Sequence, residues 1–255
     1  MSGLFRFRQT SSLNFIAHHY TARKTAPDGD CWYFAGNIIP DLLAHDGEGR
    51  LHERHIKDDP SSFARGIGLH LSADRRFHTS LSFKTASSEA ADLLHAAPFT
   101  QPLHRVFFLA HVFVEIALDG ALLRQEPGID EDLYSQLQDC GVARICAATA
   151  GLLEKSLPAS DSEAFLAHNP LPDSPSPNNP LPRLESSLDW FLKRRYASEY
   201  RTFEGQAEAL SRVSRRVGLP GFPLEEDRAG LVAAFDAFAP RIIAVSDILL
   251  ETPIR

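Results

Sequence analysis

Alternating runs of Val, Ile and Thr are almost missing from this chain of 255 residues. That scarcity argues against a β-sheet protein, because strands with one buried face need period-two apolar patterning. Cysteine is scarce as well. Cys31, Cys140 and Cys146 form no CxxC pair, which removes a thiolate zinc site, and their odd number predicts free thiols in a reducing compartment. Cys140 and Cys146 read as packing residues of one helix. Basic charge is not in excess: Lys and Arg total 26 against 33 Asp and Glu, a formal net charge of −7. This balance argues against a general nucleic-acid binder and against recruitment to an anionic membrane. The first twelve residues lack the continuous apolar core and small-residue cleavage site of a secretory signal. The longest apolar run, 106–123, is borderline for a bilayer span and carries His111, Glu115 and Asp119. The expectation is a cytoplasmic protein with no nucleic-acid or membrane partner and an oligomeric state that the sequence leaves open. GxSxG, GxxxxGK[ST], GxGxxG and HExxH are all absent, so serine hydrolases, P-loop NTPases, dinucleotide enzymes and zincins find no support.

What the chain does have is Ala, Leu, Arg, Glu and Phe at helical spacing, which predicts an all-α fold. No Gly/Ser-rich seam divides it, so 1–255 reads as a single helical domain, with the Pro-rich stretch 158–182 as a surface loop or insertion. Helices are expected from Leu13 after a Ser11 or Ser12 cap, from Cys31 to His45 with a bend or break near Pro40, and from Phe63 to His78 after Pro60-Ser-Ser. Asp30 is the expected cap of the second. Further helices are expected over Ser87–Ala97, 106–123, Asp130–Leu157, Leu184–Arg216 and Leu224–Leu250. The stretch Asp46–Asp59, with His52 and His55, reads as a solvated loop without site residues.

The run 106–123 organises the rest. A helix apolar on every side belongs in the interior, where an unpaired carboxylate costs several kcal/mol or more. Glu115 and Asp119 therefore call for a basic side chain or a divalent cation, and His111 at the same spacing shares their stripe. The same chemistry recurs on other helices: His18 or His19 on the first, Asp41 on the second, His70 and Asp74 on the third. Gly66 and Gly68 beside His70 allow a neighbouring backbone to come close. Such a mixed His/carboxylate set is the kind that helical divalent-metal hydrolases assemble from facing helices, and it suits Mn2+, Mg2+ or Fe2+ more than structural zinc. His111 and His78 read as supporting or surface groups, and His19 as the idle neighbour of His18. Lys193, Arg194, Arg195, Arg201, Arg212, Arg215 and Arg216 form a basic face, either plain solvated surface or a clamp in which Arg194, Arg195 and Arg215 bind substrate phosphate. A di-iron oxidase lacks its pair of Glu-x-x-His motifs.

Several short motifs resemble the acyl carrier protein phosphodiesterase family, helical hydrolases related to HD-domain phosphohydrolases. They are Leu13-Asn-Phe-Ile-Ala-His18, Gly36-Asn-Ile-Ile-Pro-Asp41, Gly66-Ile-Gly-Leu-His70-Leu-Ser-Ala-Asp74 and Val114-Glu-Ile-Ala-Leu-Asp119-Gly-Ala-Leu-Leu. Tyr200-Arg-Thr-Phe, Ser214-Arg-Arg and Phe238-Ala-Pro-Arg241 follow the same outline. The resemblance implies an HD-domain-like orthogonal bundle and a divalent metal held by His18, Asp41, His70, Asp74 and Asp119, with Glu115 in place of the family's first aspartate. It also implies a metal-activated water, oriented or deprotonated by Asp74 or Asp119, that releases 4′-phosphopantetheine from holo acyl carrier protein or cleaves a related phosphate ester. Two positions depart from the pattern: Leu71 stands where a basic residue is expected, and Gly120 where a histidine is. The alternative is a diverged, non-catalytic helical module that binds a ligand or protein in the same cleft.

Overall fold

The computed structural model describes residues 14–46, 49–154, 181–219 and 225–250. Every regular element among them is helical, so the all-α expectation holds. In order these are α1 (Phe15–Thr25), α2 (Cys31–Asp46), a single turn α3 (Glu53–Ile56), α4 (Ser62–Thr79), α5 (Leu81–Ala96), α6 (Val106–Gln125), α7 (Ile129–Cys140), α8 (Val142–Glu154) and α9 (Pro182–Arg194). A 3-10 turn, Tyr196–Arg201, leads into α10 (Phe203–Arg216), and a second, Glu225–Asp227, into α11 (Arg228–Leu250). The Ser11/Ser12 cap and nearly all of the Pro-rich stretch lie outside the described residues.

Local signals explain most boundaries. Asp30 Oδ1 accepts from the Tyr33 amide at 2.9 Å, Ser61 Oγ from Ala64 at 3.2 Å and Ser80 Oγ from Phe83 at 3.0 Å, each closing a helix N-terminus. The last of these starts α5 six residues earlier than expected. Pro40 lies inside α2 without interrupting it. Two expected long helices are each divided. Gly141, at φ +81°, separates α7 from α8, so Cys140 and Cys146 sit on different helices, and the Cys140 thiol instead meets Cys31 at 2.7 Å. Arg195, at φ +51°, ends α9 before the 3-10 turn. In the expected loop, His55 Nδ1 accepts from the His52 amide at 2.8 Å and closes α3, so these histidines serve local structure.

α6 is the axis of the core. Every residue from Val112 to Leu123 is buried, and α1, α5, α10, α11 and the Tyr196–Arg201 turn pack around it. α6 is long and apolar enough to cross a membrane, yet most of that surface is covered by its neighbours here. One hydrophobic core runs from Phe15 in α1 to Ile242 in α11. Inside it the Phe113 ring stacks on Phe235 with centroids 3.9 Å apart.

The tightest helix pair is α2 with α4, because glycine meets backbone on both sides. A Cβ on Gly36 would lie 2.1 Å from the Phe63 carbonyl oxygen, and one on Gly66 would lie 2.0 Å from the Tyr33 carbonyl oxygen. Gly68 faces elsewhere: a Cβ there would meet Ile56 Cδ1 at 3.4 Å, an ordinary contact. At the other end of the core, Arg201 donates to both oxygens of buried Asp130, at 3.0 and 3.1 Å, and to the Leu123 carbonyl at 2.9 Å, tying the 3-10 turn to the α6–α7 junction.

Two measurements test this account. Gly66→Ala is expected to destabilise by about 1–3 kcal/mol through overpacking, whereas Gly68→Ala is neutral or stabilising by up to about 1 kcal/mol. Equal urea midpoints for the two variants refute the glycine contact. Burial opposes ionisation of Asp130, but its bonds to Ser198 and Arg201 prevail and hold it below the usual carboxylate value. A folded-state value depressed in this way contributes stability that is complete above the unfolded value of about 4 and is lost as pH falls through the folded one. Asp130→Asn should therefore cost about 1.5–3 kcal/mol near neutrality, with the gap to wild type constant down to about pH 4 and narrowing below it. A gap that widens on acidification contradicts the assignment.

Candidate metal centre

Three helices each deliver one polar side chain to a single buried point. His18 comes from the second turn of α1, Asp41 from α2 just after Pro40, and His70 from α4, and all three are at most 4% exposed. His18 Nε2 lies 3.7 Å from Asp41 Oδ2, His70 Nε2 lies 3.5 Å from Asp41 Oδ1, and the two imidazoles stack with centroids 4.0 Å apart. One potential ligand atom from each lies within 4.8 Å of the others.

The backbone around the trio orients it. The Gly36–Gly66 contact brings the α2 main chain against α4, so His70 Nδ1 meets the Asn37 carbonyl at 2.9 Å. A carbonyl can only accept, so Nδ1 carries the proton and Nε2 presents its lone pair to Asp41. His19, the other member of the α1 pair, turns away and meets Asp132 at 2.8 Å, so His18 alone faces the site.

Two atoms of the trio, His18 Nε2 and Asp41 Oδ2, are buried without a hydrogen-bond partner among the described residues. Desolvation pushes both imidazoles below their ordinary range, His18 furthest, with His70 adding to that shift. Desolvation likewise pushes Asp41 well above the usual carboxylate range, and the nearby charges of Asp74, Glu115 and Asp119 add to it. Neutral imidazole nitrogens beside a carboxyl lacking a partner form a donor set that fits a divalent cation, which would bind two nitrogens and an oxygen and relieve the repulsion among the acids.

The remaining expected site residues are placed differently. Asp74 lines a crevice with His18, Asn14, Ala17, Thr21, Ala73 and Phe77, with room for roughly one water. Burial opposes its ionisation, but the 2.8 Å bond from His78 and the nearby His18 and His70 hold it at about 2. Glu115 is not among the trio; its Oε1 lies 3.0 Å from His111 Nε2 and 3.5 Å from His78 Nε2. Asp119, expected as ligand and catalyst, spends both oxygens elsewhere: Oδ2 accepts from the Ile16 amide at 3.0 Å and Oδ1 from Ala17 at 2.8 Å. It therefore caps the first turn of α1, whose own cap residue Asn14 makes no side-chain cap bond. Its part in the site is to fix the helix that carries His18.

The three arginines of the expected clamp are ion-paired. Arg194 pairs with Glu199 at 3.8 Å, Arg215 with Glu208 at 3.0 Å, and Arg195 with Glu131 while lying over the Tyr134 ring at 4.8 Å. Each guanidinium already has an acid within ion-pair distance. Gly120, after Asp119, leaves no room for a side chain, since a Cβ there would fall 1.9 Å from Gln206 Nε2 and 2.6 Å from the Tyr200 carbonyl oxygen. Sequence reasoning undervalued His78 and His111, although their spacing of four to Asp74 and Glu115 was visible. It missed Asn37, whose contribution comes from main-chain oxygen and leaves no residue-type signal. No family model matches the chain, and no curated protein or solved structure is significantly similar to it.

If Asp41 is neutral in the metal-free protein, Asp41→Asn preserves its charge and shape there. The variant should unfold within about 1 kcal/mol of metal-free wild type while its affinity for Mn2+ falls at least about 100-fold. Titration calorimetry and thermal melts check both halves, and undiminished Mn2+ binding removes Asp41 from the site.

Proposed function

We propose that this chain is a metal-dependent phosphohydrolase of HD-domain-like helical architecture that cleaves a phosphodiester. The observation that carries this reading is the convergence of His18, Asp41 and His70 from three helices with two buried polar atoms lacking partners. A bound Mn2+, Mg2+ or Fe2+ would supply polarisation of the phosphoryl oxygens and an acidified water.

The chain's own residues divide the remaining work. His70, fixed by the Asn37 carbonyl, and His18, fixed through the α1 cap, present neutral nitrogens. Asp74 stays anionic at neutral pH beside the crevice and can orient a water or accept its proton. His78 Nε2, 2.8 Å from Asp74 Oδ1, holds that carboxylate in place. The crevice admits a water or one phosphoryl oxygen rather than a whole substrate, so the ester is expected to bind at its mouth.

The motif resemblance makes holo acyl carrier protein the first substrate to test. The ion-paired state of Arg194, Arg195 and Arg215 favours the second reading, a non-catalytic binding module, because it leaves the phosphate without those anchors. Metal-loaded protein should release 4′-phosphopantetheine from holo acyl carrier protein or cleave bis(p-nitrophenyl) phosphate. Chelation should abolish turnover, and His70→Gln should lower kcat/KM at least about 100-fold. Metal-loaded protein inert toward both substrates selects the binding module, and turnover indifferent to chelation rejects the metal mechanism.

A further inference from the structure

A second group of donors lies where α4 and α6 meet the start of α5. His78 Nε2 and His111 Nε2 both approach the same oxygen, Glu115 Oε1, at 3.5 and 3.0 Å. The two imidazoles are nearly parallel, 13° apart with centroids at 4.6 Å, and the Phe83 ring stands edge-on to both at 4.8 and 4.9 Å. The stack and the aromatic wall fix both rings, and their Nε2 atoms converge from one side. Metal–ligand bonds of about 2.0–2.2 Å at tetrahedral or octahedral angles set neighbouring donors about 3.0–3.5 Å apart. The measured separations fall in that range. Glu115 is 1% exposed at its side chain while His111 is 35% exposed, so the cluster has a buried anchor and an open edge.

We propose that His78, His111 and Glu115 form a second cation site, distinct from His18–Asp41–His70, that takes a divalent transition metal of the Zn2+, Co2+ or Fe2+ class. Two imidazole nitrogens beside one carboxylate favour these ions over Mg2+ and Ca2+, which prefer all-oxygen shells. Asp74 adjoins both sites, with Oδ1 2.8 Å from His78 Nε2 and its side chain lining the crevice that holds His18. It is the carboxylate able to serve either ion. The inference rests on the reading of this interior as cation-binding, but it concerns different residues, and the two can fail separately.

The full chain, stripped by chelation, is titrated with Zn2+ and its metal content measured by mass spectrometry after gel filtration, for wild type, His111→Gln and His70→Gln. Wild type should hold two ions and each variant one, with the lost site at least about 100-fold weaker. One ion in wild type that survives His111→Gln overturns this inference and leaves the first site standing. One ion lost with His111→Gln but kept in His70→Gln supports it and removes the first site. Two ions untouched by His111→Gln mark surface binding and overturn it, and no ion overturns both. Should a variant fail to fold, 15N histidine NMR of wild type decides: Zn2+ must shift the His78 and His111 Nε2 resonances, and unchanged resonances refute the site.

Discussion

The backbone contact between α2 and α4 sets the geometry on which everything polar in this interior depends. Gly36 and Gly66 let two main chains approach to a separation that any side chain at those positions would prevent. From that separation follow the 2.9 Å bond between His70 and the Asn37 carbonyl and the placement of Asp41 one turn further along α2. A helix pair held apart by ordinary side chains would sit 8–10 Å between axes and leave His70 without that carbonyl. Two glycines thus act on the site without touching it.

Around this frame the protein answers the question raised by acids in an apolar core, and it answers differently for each. Asp130 takes an arginine, Arg201. Asp119 takes two amides at the start of α1, where the helix dipole adds to the hydrogen bonds. Glu115 meets two imidazoles. Asp41 takes none of these: its imidazole neighbours stand at 3.5 and 3.7 Å, its Oδ2 has no hydrogen-bond partner among the described residues, and burial pushes it toward the protonated form. That carboxyl stands at the centre of the three-helix convergence.

Much of this was legible because it repeats on the scale of a helical turn. The apolar stretch of α6, the caps at Asp30 and Ser61, and the spacing of four in both His70–Asp74 and Glu115–Asp119 are local patterns, and local patterns survive in sequence. The tertiary choices were not legible. Asp119 and Asp41 are both acids among apolar neighbours, and nothing in their surroundings tells which meets amides and which meets imidazoles. The divisions at Gly141 and Arg195 were hidden for different reasons. A single glycine in a helical pattern is ambiguous, and an arginine at positive φ carries no composition signal at all. The ion pairs of the basic face from Arg194 to Arg215 were hidden because their acids, Glu131, Glu199 and Glu208, are scattered along the chain.

Asp119 and Asp41 differ in what their burial costs. Replacing a buried ion pair by well-packed apolar residues is often neutral or stabilising by about 1–4 kcal/mol, so acids that serve folding alone are poor value in an interior. Asp119 escapes this objection, since no apolar residue caps α1. Asp41 does not, because it makes no close bond and raises the mutual repulsion with Asp74, Glu115 and Asp119. Burial and the neighbouring acids both disfavour its charged form, and His18 Nε2 beside it has no hydrogen-bond partner among the described residues. A divalent ion held by His18, Asp41 and His70 would offset the surplus negative charge around them.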